Sequence, residues 1–144
     1  MDKKLVIAVA AICCFISTGY RADAADKTPE QIVKEARATI KEVSIADVKK
    51  MIDTKENVII LDVRDKNEIE EGRIPGAMNI SRGMLEFKAG MVLQDRNARI
   101  IVYCGLDLRS PLATRTLNEL GYKNAVNMAG GFKAWKEAGY TVAK

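Results

Sequence analysis

Short apolar strands alternating with helical patterns predict an α/β protein built on a parallel sheet with helices on both sides. Val58-Ile59-Ile60-Leu61 and Ile100-Ile101-Val102-Tyr103 are continuous apolar runs rich in β-branched residues. Such runs suit strands covered on both faces, as in parallel sheets, because a strand with one wet side would alternate with polar residues. Helical periodicities separate the runs, and that alternation is the signature of strand–helix–strand crossovers. A chain of 144 residues with an ordinary apolar share calls for one core.

The elements follow in order. Met1-Asp2-Lys3-Lys4, the apolar run Leu5 to Ile16 and Ala22-Asp23-Ala24 have the layout of a signal peptide over residues 1–24: basic start, short apolar middle, small-x-small cleavage site. The run is short for a membrane span, which needs about 20 residues, so no stable membrane association is expected after cleavage. Cys13 and Cys14 lie in this run after bulky Ile12, which argues against lipidation at a cysteine. Export, periplasmic or otherwise, is the expected localisation.

An N-terminal helix is expected within residues 25–40. Thr28-Pro29-Glu30-Gln31 supplies an N-cap, a first-turn proline and a capping-box glutamine. Ile32, Val33, Ala36 and Ile40 then share a face. A second helix spans Ile45 to Ile52. The main domain, residues 41–144, holds the two clear strands, weaker strand candidates at Met78–Ile80 and Ala125–Met128, and four helical patterns. These are Lys66–Glu71, Gly83–Ala89, Pro111–Leu120 and Phe132–Ala138.

Composition removes several function classes. The chain contains no histidine, which excludes Ser-His-Asp hydrolases, Cys-His peptidases and histidine-ligated metals. No metal or cofactor is expected. The formal charge of +4 drops by one when Lys3, Lys4 and Arg21 leave with Asp2 and Asp23. Basic and acidic residues alternate along the chain, so nucleic acid is not an expected partner.

After residue 24 the chain keeps one cysteine, Cys104, so no intramolecular disulfide can form. It follows the Ile100–Tyr103 strand, and ligands of open α/β sheets bind beyond strand carboxyl ends. Between it and Ser110-Pro111, read as N-cap and first residue of a helix, stands Gly105-Leu106-Asp107-Leu108-Arg109. A free thiol titrates near roughly 8.5, and helix N-termini, loop amides or a cation lower that value. With no imidazole available, the loop amides, the helix start and Arg109 are the sources of activation. Arg109 is also suited to a bidentate grip on an anion. The alternative for Cys104 is a small buried hydrophobe.

At this point the sequence resembles the rhodanese family of sulfurtransferases across nearly all of residues 25–144. The resemblance rests on Leu61-Asp62-Val63-Arg64, on Glu71-Gly72-Arg73-Ile74-Pro75-Gly76-Ala77-Met78-Asn79-Ile80, on Val102-Tyr103-Cys104 with Arg109-Ser110, and on Gly130-Gly131-Phe132-x-Ala134-Trp135. It implies a rhodanese domain over residues 41–144, a five-stranded parallel sheet flanked by helices, and Cys104 as a nucleophile that carries a persulfide. Gly105, Leu106, Asp107, Leu108, Arg109 and Ser110 would form the substrate cradle. The implied reaction moves sulfane sulfur from a donor such as thiosulfate to an acceptor such as cyanide or a thiol. Small sulfur-containing anions or thiols, and a protein sulfur acceptor, are the implied partners.

Two departures from the family pattern, and several other residues, bear on that expectation. Asp107 stands where the family commonly has glycine; it tolerates a left-handed backbone, and its carboxylate is expected to face solvent. Arg73 replaces the usual histidine before Ile74-Pro75-Gly76-Ala77. Asp62 and Arg64 read as a charged pair bracing neighbouring loops, with substrate contact the alternative. Arg82 reads either as a surface cation or as a residue at the mouth of the site. Met84, Phe87 and Trp135 are expected to pack in the interior, with lining the pocket the alternative for Met84 and Phe87.

A cysteine-dependent phosphatase on the same fold is a rival, but its loop has five residues between cysteine and arginine where this chain has four. The tighter loop suits a sulfur atom better than a phosphoryl group. A low-turnover sulfur carrier or binding module is the second rival.

Overall fold

A computed structural model describes residues 26–144. The signal-peptide expectation for residues 1–24, with Cys13 and Cys14, lies outside the described residues. The elements are α1 (Pro29–Arg37), β1 (Glu42–Val43), α2 (Ile45–Asp53), β2 (Ile59–Asp62), α3 (Lys66–Ile69), β3 (Met78–Asn79), a 3-10 turn (Arg82–Met84) leading into α4 (Leu85–Val92), β4 (Ile100–Tyr103), α5 (Arg109–Glu119), β5 (Ala125–Met128) and α6 (Gly131–Glu137). The strands form one parallel five-stranded sheet in the order β1-β5-β4-β2-β3. The central strands β2 and β4 are the two continuous apolar runs, as a doubly covered sheet requires.

Strand parity divides the core in two. Ile100, Val102 and Cys104 join Leu61 and Val63 in a cluster with Leu85, Ala89, Ala113 and Leu117, so this face is covered by α4 and α5. Ile101 and Tyr103 point the other way, into Val48, Met51, Ile74, Phe132 and Trp135. The alternation of a β-strand therefore sends Cys104 toward α5, and all of its backbone neighbours in β4 are fully buried.

The N-terminal helix forms as its cap predicts: the Thr28 side chain accepts from the Gln31 amide and the Gln31 side chain accepts from the Thr28 amide. It packs on α5 and buries Ala36, while Ile32 stays exposed. Strand β1 was not legible in the sequence. It is two residues long, and it forms only because β5 offers an edge for Glu42 and Val43 to pair with. The expectation that Met84 and Phe87 pack inside is corrected: both are exposed, Phe87 by 75%. Leu85, Ala89 and Leu93 recur at four-residue spacing on the buried side of α4, which leaves Phe87 on the opposite side. Trp135 is buried, with its indole N–H donated to the Thr141 carbonyl at 2.9 Å. Among the described residues no helix is long and apolar enough to cross a membrane.

Candidate active site

Cys104 leaves the end of β4 and enters a loop held from behind by the last helix. The Cys104 carbonyl accepts from the Phe132 amide at 2.7 Å and the Gly105 carbonyl from the Lys133 amide at 3.0 Å. These contacts need Gly131, at φ +62, with no side chain: a Cβ there would lie 2.7 Å from the Cys104 carbonyl oxygen and 2.9 Å from the Asp107 nitrogen. The glycine pair thus does more than start a helix sharply; it lets α6 back directly onto the loop.

Asp107 has φ +61, the left-handed conformation for which the family's glycine is suited. The expectation that its carboxylate faces solvent is overturned. Oδ1 accepts from Asn127 Nδ2 at 2.9 Å and from the Ser110 hydroxyl at 3.3 Å, and Oδ2 from the Gly130 amide at 2.9 Å. Arg37 of α1 closes the set, with Nη2 2.8 Å from Oδ2 and 2.7 Å from the Asp107 carbonyl. A buried carboxylate is costly only when it lacks donors, and this one has four.

The helix start is also corrected. Helix α5 begins at Arg109 with Leu108 in the N-cap position, so Ser110 and Pro111 lie within the first turn. The left-handed step at Asp107 turns the chain early, and the Ser110 hydroxyl is released from capping. It lies 3.4 Å from Cys104 Sγ and 3.3 Å from Asp107 Oδ1. Among the described residues, the amides of Gly105 through Ser110 donate to no protein acceptor. That leaves a run of unpaired N–H groups in the loop that follows Cys104, a residue 1% exposed, the composition of an anion nest. The side chains of Leu106 and Leu108 turn outward and are exposed.

Arg109 is placed near Cys104, but it is already held by protein carboxylates. Nη2 lies 2.6 Å from Glu68 Oε1 and Nη1 2.8 Å from Glu68 Oε2, with Asp65 at 3.5 Å. The hydrogen bonds from Arg109 hold the Glu68 carboxyl below the usual glutamate range, against a smaller opposing effect of burial. Glu68 is the residue that sequence reasoning missed. Its signal was local: Asp65-x-x-Glu68 forms a capping box at the start of α3, which fixes Glu68 on the side facing the loop.

Asp62 and Arg64 form the expected brace. Arg64 donates to both Asp62 oxygens, to the Gly72 carbonyl at 2.8 Å and to the Glu68 carbonyl at 3.2 Å, and its guanidinium sits 4.1 Å from the Phe132 ring centre. The pair therefore joins the loops after β2 to α6. Arg82 pairs with Glu86 and reaches the Thr116 hydroxyl at 3.3 Å. Next to Asp65 an open cleft of about 350 Å³ runs past Lys66, Ser81, Met84 and Lys88, beyond the ends of β2 and β3.

Known proteins share this architecture. The family model for the Rhodanese-like domain matches residues 44–138. The chain belongs to the rhodanese-like domain family. It is 36% identical over 98 residues to the thiosulfate sulfurtransferase GlpE of Pseudoalteromonas translucida, covering 68% of this chain and 90% of that protein. It is 34% identical over 101 residues to the putative sulfur carrier protein YrkF of Bacillus subtilis, covering 70% of this chain but only 54% of the relative. Among solved structures, RPA3614 of Rhodopseudomonas palustris, described as a protein of unknown function and possible tyrosine phosphatase, superposes with a TM-score of 0.76. It is 32% identical, with 81% of this chain and 95% of that one covered. Likeness to rhodanese-family sulfurtransferases and carriers supports a sulfur-transfer role for the rhodanese fold seen here.

Proposed function

We propose that this protein is a sulfurtransferase that works through a persulfide on Cys104. One observation carries the reading: a buried sulfur at the carboxyl end of the central strand, with a hydroxyl 3.4 Å away and a run of loop amides free of protein acceptors. Such a nest offers N–H groups to an anionic sulfur donor and to the outer sulfur of a persulfide, while the Ser110 hydroxyl faces Sγ itself. The Cys104 thiolate attacks the outer sulfur of a donor such as thiosulfate. The donor's S–S bond breaks and sulfite leaves with its electron pair. Cyanide or a thiol then attacks the outer sulfur of the persulfide, and Cys104 returns as thiolate. No metal or cofactor takes part in this scheme.

The pairing of Arg109 with Glu68 and Asp65 refines the substrate cradle. The guanidinium serves chiefly to hold the loop against α3, so anion recognition falls on the amides of Gly105 through Ser110. The same contact argues against phosphoryl transfer. A phosphate would need that guanidinium as an equatorial clamp, and the loop is one residue shorter than the phosphatase pattern. Exposed Leu106 and Leu108 give the rim an apolar character suited to a protein sulfur acceptor. Export of the chain, with residues 1–24 as its signal, belongs to the same reading and draws on the N-terminal sequence alone.

The test is thiocyanate production from thiosulfate and cyanide. Wild type should turn over and Cys104→Ser should fall to the uncatalysed rate. Retained activity in the serine variant would remove the mechanism.

A further inference from the structure

We propose that Arg37, carried on α1 outside the matched family segment, is a positioning residue for the Cys104 loop and acts through Asp107. The inference rests on Cys104 being the reactive sulfur and goes beyond that reading by assigning a task to the N-terminal helix. Residues 44–138 match the family model, so Arg37 lies in a segment outside that match. Yet its guanidinium reaches the centre of the loop, bonding both the carboxylate and the carbonyl of Asp107.

The chemistry follows from what Asp107 brings. A left-handed residue at this position shapes the loop, and glycine would do this without adding charge. Aspartate adds a carboxylate that shares the Ser110 hydroxyl with Cys104 Sγ, at 3.3 Å and 3.4 Å respectively. That hydroxyl has one proton. While the sulfur is protonated, Ser110 can donate to Asp107 and accept from the thiol. Once the sulfur is ionised or carries a second sulfur, the Ser110 proton serves better on the sulfur, and Asp107 keeps its bond from Asn127.

An uncompensated carboxylate at this place would oppose the sulfur anion, because like charges disfavour one another at short range. Arg37 supplies the compensation, with its guanidinium 2.8 Å from Oδ2. The charged and polar groups around Asp107 are Arg37 from α1, Glu42 from β1, Ser110 from α5, Asn127 from β5 and the Gly130 amide, while Arg109 pairs with Glu68 and Asp65. Glu42 pairs with Arg37 and accepts from Asn127 at 2.8 Å, so α1 and the edge strand are linked to the loop as one unit.

The experiment is a double-mutant cycle read by alkylation of Cys104 with iodoacetamide, followed by peptide mass spectrometry across pH. Arg37→Gln should slow alkylation at pH 7 by about five-fold and move the profile to higher pH, since a lost cation leaves the nearby carboxylate unbalanced. Arg37→Lys should recover most of the rate. In the Asp107→Asn background, Arg37→Gln should change the rate by less than about two-fold, because the charge it balances is gone. Equal slowing in both backgrounds, or none in either, would overturn the assignment. Asp107→Asn alone should alkylate at least as fast as wild type, and a slower rate would contradict the proposal even if Arg37→Gln failed to fold. Alkylation needs no sulfur donor. A protein that shows this pattern yet takes no sulfur from thiosulfate would sink the sulfurtransferase reading and leave the role of Arg37 standing; the opposite pair of results would do the reverse.

Discussion

Glu68 and Asp107 show how much a single carboxylate can mean at this site. Glu68 draws Arg109 into a two-pronged ion pair across the loop mouth, with a distance of 2.6 Å on one prong. Its pKa is lowered above all by those hydrogen bonds, so the folded state binds its proton less readily than the unfolded chain. The stabilisation is therefore present above the ordinary glutamate range and is lost as pH falls through that range toward the lowered value. Thermal melts should show wild type losing more stability on acidification there than Glu68→Gln, which has no proton to take up at that position. Parallel loss in the two proteins would remove the latch from the account. At this scale the sequence revealed the place of Cys104 at the end of a buried strand and the Asp62–Arg64 brace, which follow from residue type and local spacing; the left-handed backbone at Asp107 came from the family resemblance, which has glycine there. The clasp on Asp107 was not legible, since Arg37 lies 70 positions away and nothing in the local pattern marks the pairing.

The elements that position the site are β4, α5 and α6. Both central strands and the order of helices were readable, because covered strands and amphipathic helices leave strong periodic signals. The start of α5 was not. Ser110-Pro111 is a good start signal on its own, but the left-handed turn at Asp107 begins the helix at Arg109 and assigns Ser110 to the sulfur instead. The approach of α6 depends on the absence of a side chain at one residue. Gly131→Ala places a methyl group 2.7 Å from the Cys104 carbonyl oxygen, in a backbone conformation that alanine resists. Chemical denaturation should show a loss of about 2–4 kcal/mol, with sulfur transfer reduced further than the folded fraction explains. Wild-type stability in that variant would mean that α6 does not press on the loop.

The molecule as a whole is a covered parallel sheet whose strand parity decides where the sulfur goes. Ile101 and Tyr103 anchor one half of the core, and Ile100, Val102 and Cys104 line the other. The thiol is thus continuous with the hydrophobic interior on one side and with the amide loop on the other. That arrangement excludes water while offering hydrogen-bond donors, which are the conditions under which a sulfur anion gains most from fixed dipoles. The absence of histidine, readable at once, means that under the proposed mechanism activation draws on those dipoles. The N-terminal helix adds a cation from outside the matched segment, and only the folded arrangement reveals that it reaches the loop. The most direct measurement is intact-protein and peptide mass spectrometry after incubation with thiosulfate. One added sulfur, located on Cys104 and released by cyanide as thiocyanate, is the predicted result; an unmodified Cys104, or the same sulfur gained by Cys104→Ser, would contradict it.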